Sequence, residues 1–376
     1  MQNTAIKKII IQRVGSPKIF VYLVIWLMFL VFFGTIAQRD SGLYLVQLDY
    51  FSSWIKWFGP IPTPSAKFTM FLMTLNLSTY FFRDYIWKIQ KIGITITHAG
   101  VLLLLLGGGL TSLFSIEGSM IIDEGKRSNF FENYYIKEFI IIDKSNSQYD
   151  QYTIFDEHLL HRGALLNSET IPFDIEVLDY YVNCNPVQRV YLGNENFQGM
   201  AKNFYLQELK PEKEYEKNRP GIIYEVKGKN TVKYDGIYIL FMGQTIPQEF
   251  DLFEVQLRPY RTYLPFEIEL IDFKKEMHPG TEIAKSFSSK INLHEDGIKR
   301  PILIQMNEPL RHQNYTFYQS SYREGIDRDT TILSVVKNYG RLFPYISSII
   351  MCFGLLLHII LKVPRLFKER RKRAAL

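Results

Sequence analysis

Two histidines of this 376-residue sequence lie inside apolar runs, and the imidazole side chain of histidine commonly binds metals. His98 stands in THAGVLLLLL and His358 in CFGLLLHIILKV. An ionisable side chain is costly at membrane depth and usually faces a bundle interior, a cavity or a ligand. Counted along a helix, His98 lies about 9 Å from Ile92 and His358 about 6 Å from Lys362. The two imidazoles are therefore predicted at similar depth, where together they could clamp a haem iron from opposite faces.

Each histidine also has a simpler explanation. His98 could pack or donate a hydrogen bond inside a helix bundle, and His358 lies near enough to the interface to reach water or a lipid phosphate. His98 is therefore the stronger candidate ligand. Gly100, two residues further on, would leave room beside the imidazole for something bulky. Gly100 and the run Gly107–Gly109 are equally typical of helices that pack tightly in lipid.

The elements that must position these residues are membrane helices and one large polar domain. The mean hydropathy of −0.06 conceals apolar runs that stand apart from a polar block. We predict four transmembrane α-helices, three N-terminal and one C-terminal, over residues 19–37, 68–87, 92–115 and 343–361. The other segments are an N-terminus (1–18), an outer loop with an interfacial segment (38–67), a β-rich domain (116–340) and a basic tail (362–376). The second run is the least apolar, and we accept it because the topology requires it.

The distribution of basic residues predicts the orientation. The N-terminus, the loop around Arg83, Lys88 and Lys91, and the tail KVPRLFKERRKRAAL are all basic. By the positive-inside rule these segments are cytoplasmic, so residues 116–340 are expected outside. The first run is read as an uncleaved anchor. Trp54 and Trp57, between the first two runs, predict an amphipathic segment on the outer leaflet.

Alternating polar and apolar residues predict that the outer domain is β-rich. PFDIEVLDY (172–180) matches PFEIELIDF (265–273) position for position in residue type, and GSMIIDEG (118–125) resembles GIYILFMG (236–243) more loosely. A duplicated β lobe would explain both matches, although any two alternating strands look alike. The two cysteines, Cys184 in the domain and Cys352 in the last run, cannot pair, so no disulfide is expected.

Other chemistry lacks the residues it needs. His158 and His161 have the i, i+3 spacing of metal ligands, but no third ligand is evident nearby, and we reject a zinc site. The sequence holds no GxSxG, HExxH, P-loop or GxGxxG motif, so hydrolase, protease and nucleotide-binding functions are not indicated. No nucleic-acid partner is expected.

The sequence resembles the ResB/CcsB family of cytochrome c maturation (System II). Four stretches carry the resemblance: GTIAQRDSGLYLVQLDYFSSWIKWFGPIPTP, THAGVLLLLLGGGLTSLFSIEGSMIIDEG, LIDFKKEMHPGTEIAKSFSSKI and NEPLRHQNYTFYQSSYREG. The resemblance implies a subunit that joins CcsA in a cytochrome c synthase of the bacterial inner membrane. With CcsA, it would export haem and attach it to the CXXCH cysteines of apocytochrome c. This chain would then be a non-catalytic or co-catalytic subunit of a haem lyase complex.

The resemblance also implies roles for particular residues. His98 matches the histidine of the third span that is thought to ligate haem b transiently within the membrane. CcsA carries a tryptophan-rich WWD signature, whereas all four tryptophans of this chain precede residue 88. The chain therefore looks like the CcsB half alone, and CcsA would supply the second axial ligand. That leaves His358 as a secondary candidate ligand.

Two other functions are compatible with the same features. One is a membrane-tethered accessory or transport protein whose periplasmic domain binds a partner, without haem. The other is an independent b-type cytochrome that uses both His98 and His358. Copurified haem distinguishes the first from a synthase subunit, and haem binding without CcsA identifies the second.

Overall fold

The computed structural model describes residues 11–82, 87–190, 196–281 and 284–374, and the chain divides into two compact units. The first unit comprises Met1–Ile116 and Lys337–Leu376, and it holds the long apolar helices. The second unit is Glu117–Val336 and holds most of the β-strands. This division matches the predicted separation between membrane helices and a large β-rich domain.

The first unit is built from helices and one hairpin. Its helices are α1 (Pro17–Ser41), α2 (Ala66–Tyr80), α3 (Ile92–Phe114) and α4 (Phe343–Ala374). Between α1 and α2, the helical turns Leu43–Val46 and Gln47–Ser52 precede the hairpin of β1 (Ile55–Phe58) and β2 (Ile61–Pro64). The segment predicted to be interfacial therefore folds as turns and a hairpin, on which Trp54, Trp57 and Ile61 are exposed.

Three of these helices are long and apolar enough to cross a membrane: Pro17–Ser41, Ile92–Phe114 and the part of α4 from Phe343 to Val363. The predicted second span is not confirmed. A helix does form there, but α2 has 15 residues, which corresponds to about 22 Å of a hydrocarbon core about 30 Å thick. Residues 83–86 of the predicted span lie outside the described residues.

Helices α3 and α4 pack in antiparallel directions through glycines spaced seven residues apart. Three pairs meet along this contact: Gly93 with His358, Gly100 with Met351, and Gly107 with Phe343. A Cβ added at any of these glycines would come within 3.0 Å of its partner, so a larger residue would force the helices apart. A seven-residue repeat keeps one face of a helix turned toward a neighbour. Small residues at this spacing therefore set the close approach of the two helices.

The second unit contains two main sheets and a small hairpin. Its strands are β3 (Ile116–Asp123), β4 (Arg127–Asp143), β5 (Gln151–Asp156), β6 (Leu165–Leu166), β7 (Phe173–Tyr181), β8 (Cys184–Gln188), β9 (Phe204–Glu208), β10 (Gly221–Gly228), β11 (Gly236–Phe241), β12 (Gln248–Phe250), β13 (Phe253–Met277), β14 (Ala284–Glu295), β15 (Ile298–Gln305), β16 (Leu310–His312), β17 (Tyr315–Arg323) and β18 (Thr330–Lys337). The larger sheet has the order β15-β14-β13-β4-β3-β18-β17-β16, with β12 on β13 and β5 on β4. The smaller sheet has the order β11-β10-β7-β6, and β8 pairs with β9.

Aromatic side chains fill the two cores of this unit. One core lies between the smaller sheet and the β4–β13 part of the larger sheet, where Phe139 meets Tyr224 at a ring-centroid distance of 5.4 Å. In the other, Phe266 lies 6.1 Å from both Tyr315 and Phe317. The alternation along β7 and β13 predicts these positions, because it turns Phe173 and Phe266 inward, where they are at most 3% exposed.

The long strands β4 and β13 connect the two cores. They pair antiparallel, with register shifts between Pro259 and Arg261 and between Tyr263 and Ile268. Opposite residues Arg258 and Glu138 form a buried ion pair, with Nε 2.7 Å from Oε1. Removing one partner would leave a buried unpaired charge, which typically costs about 3–5 kcal/mol.

The duplicated lobe is not confirmed. The two matching segments are regular strands, but their neighbours differ: β7 lies between β10 and β6 in the smaller sheet. The matching segment of β13 lies in the larger sheet, with β14 along its length. The similarity is explained by the alternating burial that both strands share.

Candidate functional site

His98 lies in the second turn of α3, and the helix itself fixes the tautomer of its ring. The ring nitrogen Nδ1 is 2.8 Å from the carbonyl oxygen of Ile94, one turn earlier. A carbonyl oxygen only accepts, so Nδ1 carries the proton and donates it. In the neutral ring the lone pair then resides on Nε2.

The plane of the His98 ring is held by Tyr80, the last residue of α2. The two rings stack with centroids 4.6 Å apart and planes 16° from parallel. His98 is half-buried, and no group among the described residues is hydrogen-bonded to Nε2. One nitrogen is thus anchored while the other is left with an unused lone pair.

This arrangement fits an axial ligand of haem iron. Metal-binding histidines commonly donate their second N–H to a backbone carbonyl, which fixes the tautomer and the ring orientation. His98 donates its Nδ1 proton to the backbone carbonyl of Ile94 in this way. A neutral imidazole is the usual form of a histidine ligand.

His358 lies at a different level of the helix pair from His98. Its backbone packs against Gly93, about 7.5 Å along α3 from His98. Its Nδ1 is buried and, within the described residues, has no hydrogen-bond partner. The two histidines are therefore offset along α3 by more than the similar depth predicted from the sequence, and their joint ligation of one iron stays a prediction.

Gly100 does not leave room beside the His98 ring. It lies about 200° around the helix axis from His98, and its Cβ position is 2.6 Å from Cγ of Met351 on α4. Of the two explanations, tight helix packing holds for Gly100 and Gly107, and the expectation of free space beside the imidazole is wrong. At Gly109, by contrast, nothing lies within 4 Å of an added Cβ.

The histidines of the second unit make contacts within that unit. His158 and His161 are exposed, and the nearest charged contact of His158 is Asp156 at 3.9 Å. His294 and His312, which the sequence analysis passed over, bind carboxylates. His294 Nε2 lies 2.8 Å from Glu269, and His312 Nε2 lies 3.0 Å from Glu295.

Glu269 is the most strongly perturbed carboxylate of these pairs. Hydrogen bonds from Asn292 and His294, supported by the nearby charges of Lys299 and Arg127, lower the pKa of Glu269 to about 2. This group is a structural anchor between β13 and β14, because its partners Asn292 and His294 lie on the neighbouring strand. Its position opposite Asn292 in the register, two residues from His294, is what brings these groups together.

Sequence reasoning found His98 but missed its supports. The bond to Ile94 follows from helical i, i−4 spacing and could have been inferred. The stacking of Tyr80 could not have been inferred, because Tyr80 stands at the end of an ambiguous apolar run and no spacing rule links it to His98.

Comparison with known proteins relates part of the chain to a known family. The sequence profile described as the ResB-like family matches residues 221–331, from β10 into β18. Protein NrfI of Wolinella succinogenes is 22% identical over 295 residues, which cover 77% of this chain and 29% of NrfI. These two matches support membership of the ResB family.

The profile match lies within the second unit, where it covers residues 221–331, whereas His98 lies in the first unit. Two stretches that carry the sequence resemblance, residues 270–291 and 307–325, fall inside the matched range. The chain spans about 29% of the length of NrfI, so NrfI contains much that this chain does not.

Proposed function

We propose that this ResB-like protein is the CcsB-type subunit of a System II cytochrome c synthase. Membership of the ResB-like family supports a role in cytochrome c biogenesis. The haem-handling part of the proposal rests on His98. Its Nδ1 is hydrogen-bonded to the carbonyl oxygen of Ile94, and its Nε2 is left to bind the haem iron.

In this function the substrate haem crosses the membrane while its iron is held by imidazoles. His98 supplies one axial nitrogen, and Tyr80 keeps the ring plane fixed while it does so. The backbone of His358 packs against Gly93, about 7.5 Å along α3 from His98, and this offset favours a second ligand supplied by the partner, CcsA. Holding haem in one orientation is a positioning task, and positioning is the main requirement for joining haem to the thiols of apocytochrome c.

The membrane arrangement follows from the basic segments. With the N-terminus, the loop around Lys88 and Lys91, and the tail in the cytoplasm, α2 completes a fourth crossing as a short span. The bilayer can thin around a short span, and the short helix can also pack against neighbouring helices. The second unit is then periplasmic. There it receives the apocytochrome or shapes the chamber that holds it.

Coexpression tests this function directly. The chain, CcsA and an apocytochrome with a CXXCH motif are expressed together in a host that lacks its own maturation system. We expect the two membrane proteins to copurify with haem, seen as a Soret band, and the cytochrome to carry covalent haem. Maturation by this chain without CcsA, or a copurified pair without haem, would overturn the proposal. The latter result would favour a tethered accessory protein.

A further inference from the structure

A groove in the first unit lies between α2 and α3, at the end of the pair nearest Trp54. Its volume is about 610 Å³, and its lining is almost wholly apolar. The two helices run antiparallel here, since Met70 lies against Gly108 while Tyr80 lies against His98. The groove therefore follows one face of each helix.

The groove is elongated along the helix axes. On α2 it is lined by Lys67, Met70 and Thr74, which are spaced i, i+3 and i+7 on one face. On α3 the lining extends from Leu105 to Leu113. Both stretches correspond to about 10–12 Å of helix. An occupant must accordingly be a narrow apolar body that runs parallel to the helices.

Lys67 places one positive charge at the Trp54 end of the groove. Its Nζ lies 5.3 Å from the centroid of the Trp54 ring, and it is the charged residue in the lining. Among the described residues, no carboxylate lies within 4.0 Å of this ammonium group, whereas nearby Lys56 is paired with Asp49. An unpaired cation beside apolar surface favours an occupant that brings its own negative charge.

Gly109 keeps the groove open. A Cβ at this position would find no atom within 4 Å, and at Gly108 it would meet only Met70, at 3.6 Å. These two glycines therefore do not serve helix packing, in contrast to Gly107, which lies against Phe343. The three-glycine run has two separate roles: one residue sets the approach of α4, and two shape the groove.

The geometry points to a binding site for one anionic phospholipid in this groove. Tryptophan prefers the membrane interface, so the Trp54 end lies at headgroup level and the Thr74 end toward the membrane centre. Lys67 then pairs with the lipid phosphate, and an acyl chain lies along Met70 and Gly109. A charge at one end and an apolar channel leading inward match the polarity of a phospholipid. This site is independent of haem binding at His98.

Lipid titration of the purified full-length chain tests the site. The protein is delipidated in mild detergent and titrated with phosphatidylglycerol or with phosphatidylcholine of the same chains, and bound lipid is counted by native mass spectrometry. We expect one phosphatidylglycerol to bind about fivefold more tightly than phosphatidylcholine, because one lysine near an anionic headgroup contributes about that factor. Lys67→Gln should abolish this preference, and Gly109→Leu should prevent either lipid from occupying the groove.

Two matched variants control for general effects. Lys18→Gln removes an exposed cation elsewhere, and Ser348→Leu places the same leucine side chain at an exposed position on α4; both should bind as the wild type does. Equal affinity of the wild type for the two lipids would overturn the proposal, as would unchanged binding by Lys67→Gln and Gly109→Leu. A tetrapyrrole retained in the groove in place of lipid would overturn it as well.

Discussion

The imidazole of His98 lies flat against the phenol ring of Tyr80, with ring centroids 4.6 Å apart. Helix α3 fixes the tautomer through Ile94, and the end of α2 fixes the ring plane. Two different helices therefore orient one nitrogen, Nε2. A fixed tautomer and a fixed ring plane are what the proposed axial ligand requires.

We predict that His98→Ala lowers the haem content of the copurified complex and abolishes cytochrome c maturation, while the protein still inserts and still binds CcsA. Added imidazole should partly restore both, since it can stack on Tyr80 in the vacated space and offer a nitrogen to the iron. Haem is measured by its Soret absorbance and maturation by covalent haem staining.

His358→Ala is the matched control for this prediction. It removes the other histidine of the apolar helices, whose backbone packs against Gly93, and haem should stay near normal because the proposal takes the second ligand from CcsA. Equal loss in both variants would indicate a single-chain b-type cytochrome. Unchanged haem in His98→Ala would refute the site.

Gly93→Ala should destabilise the helical unit. A Cβ at Gly93 would lie 2.5 Å from the backbone nitrogen of His358, and the backbone cannot move away without separating α3 from α4. Overpacking of this kind typically costs about 1–3 kcal/mol. Gly109→Ala makes no such contact and should leave the unfolding temperature unchanged or slightly raised, because alanine favours helix. Thermal unfolding in detergent, followed by circular dichroism, compares the two, and equal effects would contradict the packing argument.

Much of this architecture can be predicted from local patterns. The apolar runs predict the bounds of α1 and α3 to within four residues, and they predict the start of α4, which continues past the predicted end at Leu361 to Ala374. Alternation predicts that β7 and β13 turn Phe173 and Phe266 inward. Contacts between distant segments have no local signal, so neither the stacking of Tyr80 on His98 nor the assignment of Gly100 to packing could be derived. The short helix α2 shows the limit of composition, because Thr69 and Asn76 make it ambiguous, and both are buried by tertiary contacts.

The stability of the β-rich unit should fall in acid through Glu269. Its pKa is lowered from an ordinary 4.5 to about 2 by Asn292 and His294. A carboxylate with a lowered pKa in the folded state stabilises the fold above its unfolded pKa and loses that contribution as the pH falls toward the folded value. We therefore expect the guanidinium midpoint to drop between about pH 4.5 and pH 2, with a smaller drop in Glu269→Gln.

Glu267→Gln is the control for this pH dependence. Glu267 lies on the same strand, and its side chain is half-exposed, 3.7 Å from Arg127. This variant should retain the wild-type acid dependence when unfolding is followed by the β-sheet signal in circular dichroism. An acid profile of Glu269→Gln that matches the wild type would show that other carboxylates dominate.

Reporter fusions should reveal the orientation. A reporter that works only in the cytoplasm should be active after Leu376, and one that works only outside should be active when inserted near Lys229, in the turn between β10 and β11. The basic tail and the basic loop before α3 are the physical reason. The reverse pattern would place the β-rich unit in the cytoplasm and remove the haem-export proposal with it.

Cys184 should be inert in the folded protein. It is 2% exposed, and burial raises the pKa of its thiol to about 11, although the charge of Arg219 opposes the shift. At pH 8 only about one thiol in a thousand would then be ionised, and the thiolate is the reactive form. In a Cys352→Ser variant, a maleimide should label the folded protein slowly and the denatured protein completely, as measured by mass spectrometry. Rapid labelling of the folded variant would contradict the burial. An inert Cys184 also suits a domain that meets apocytochrome c, because it would not compete with the CXXCH thiols for haem or form mixed disulfides with them.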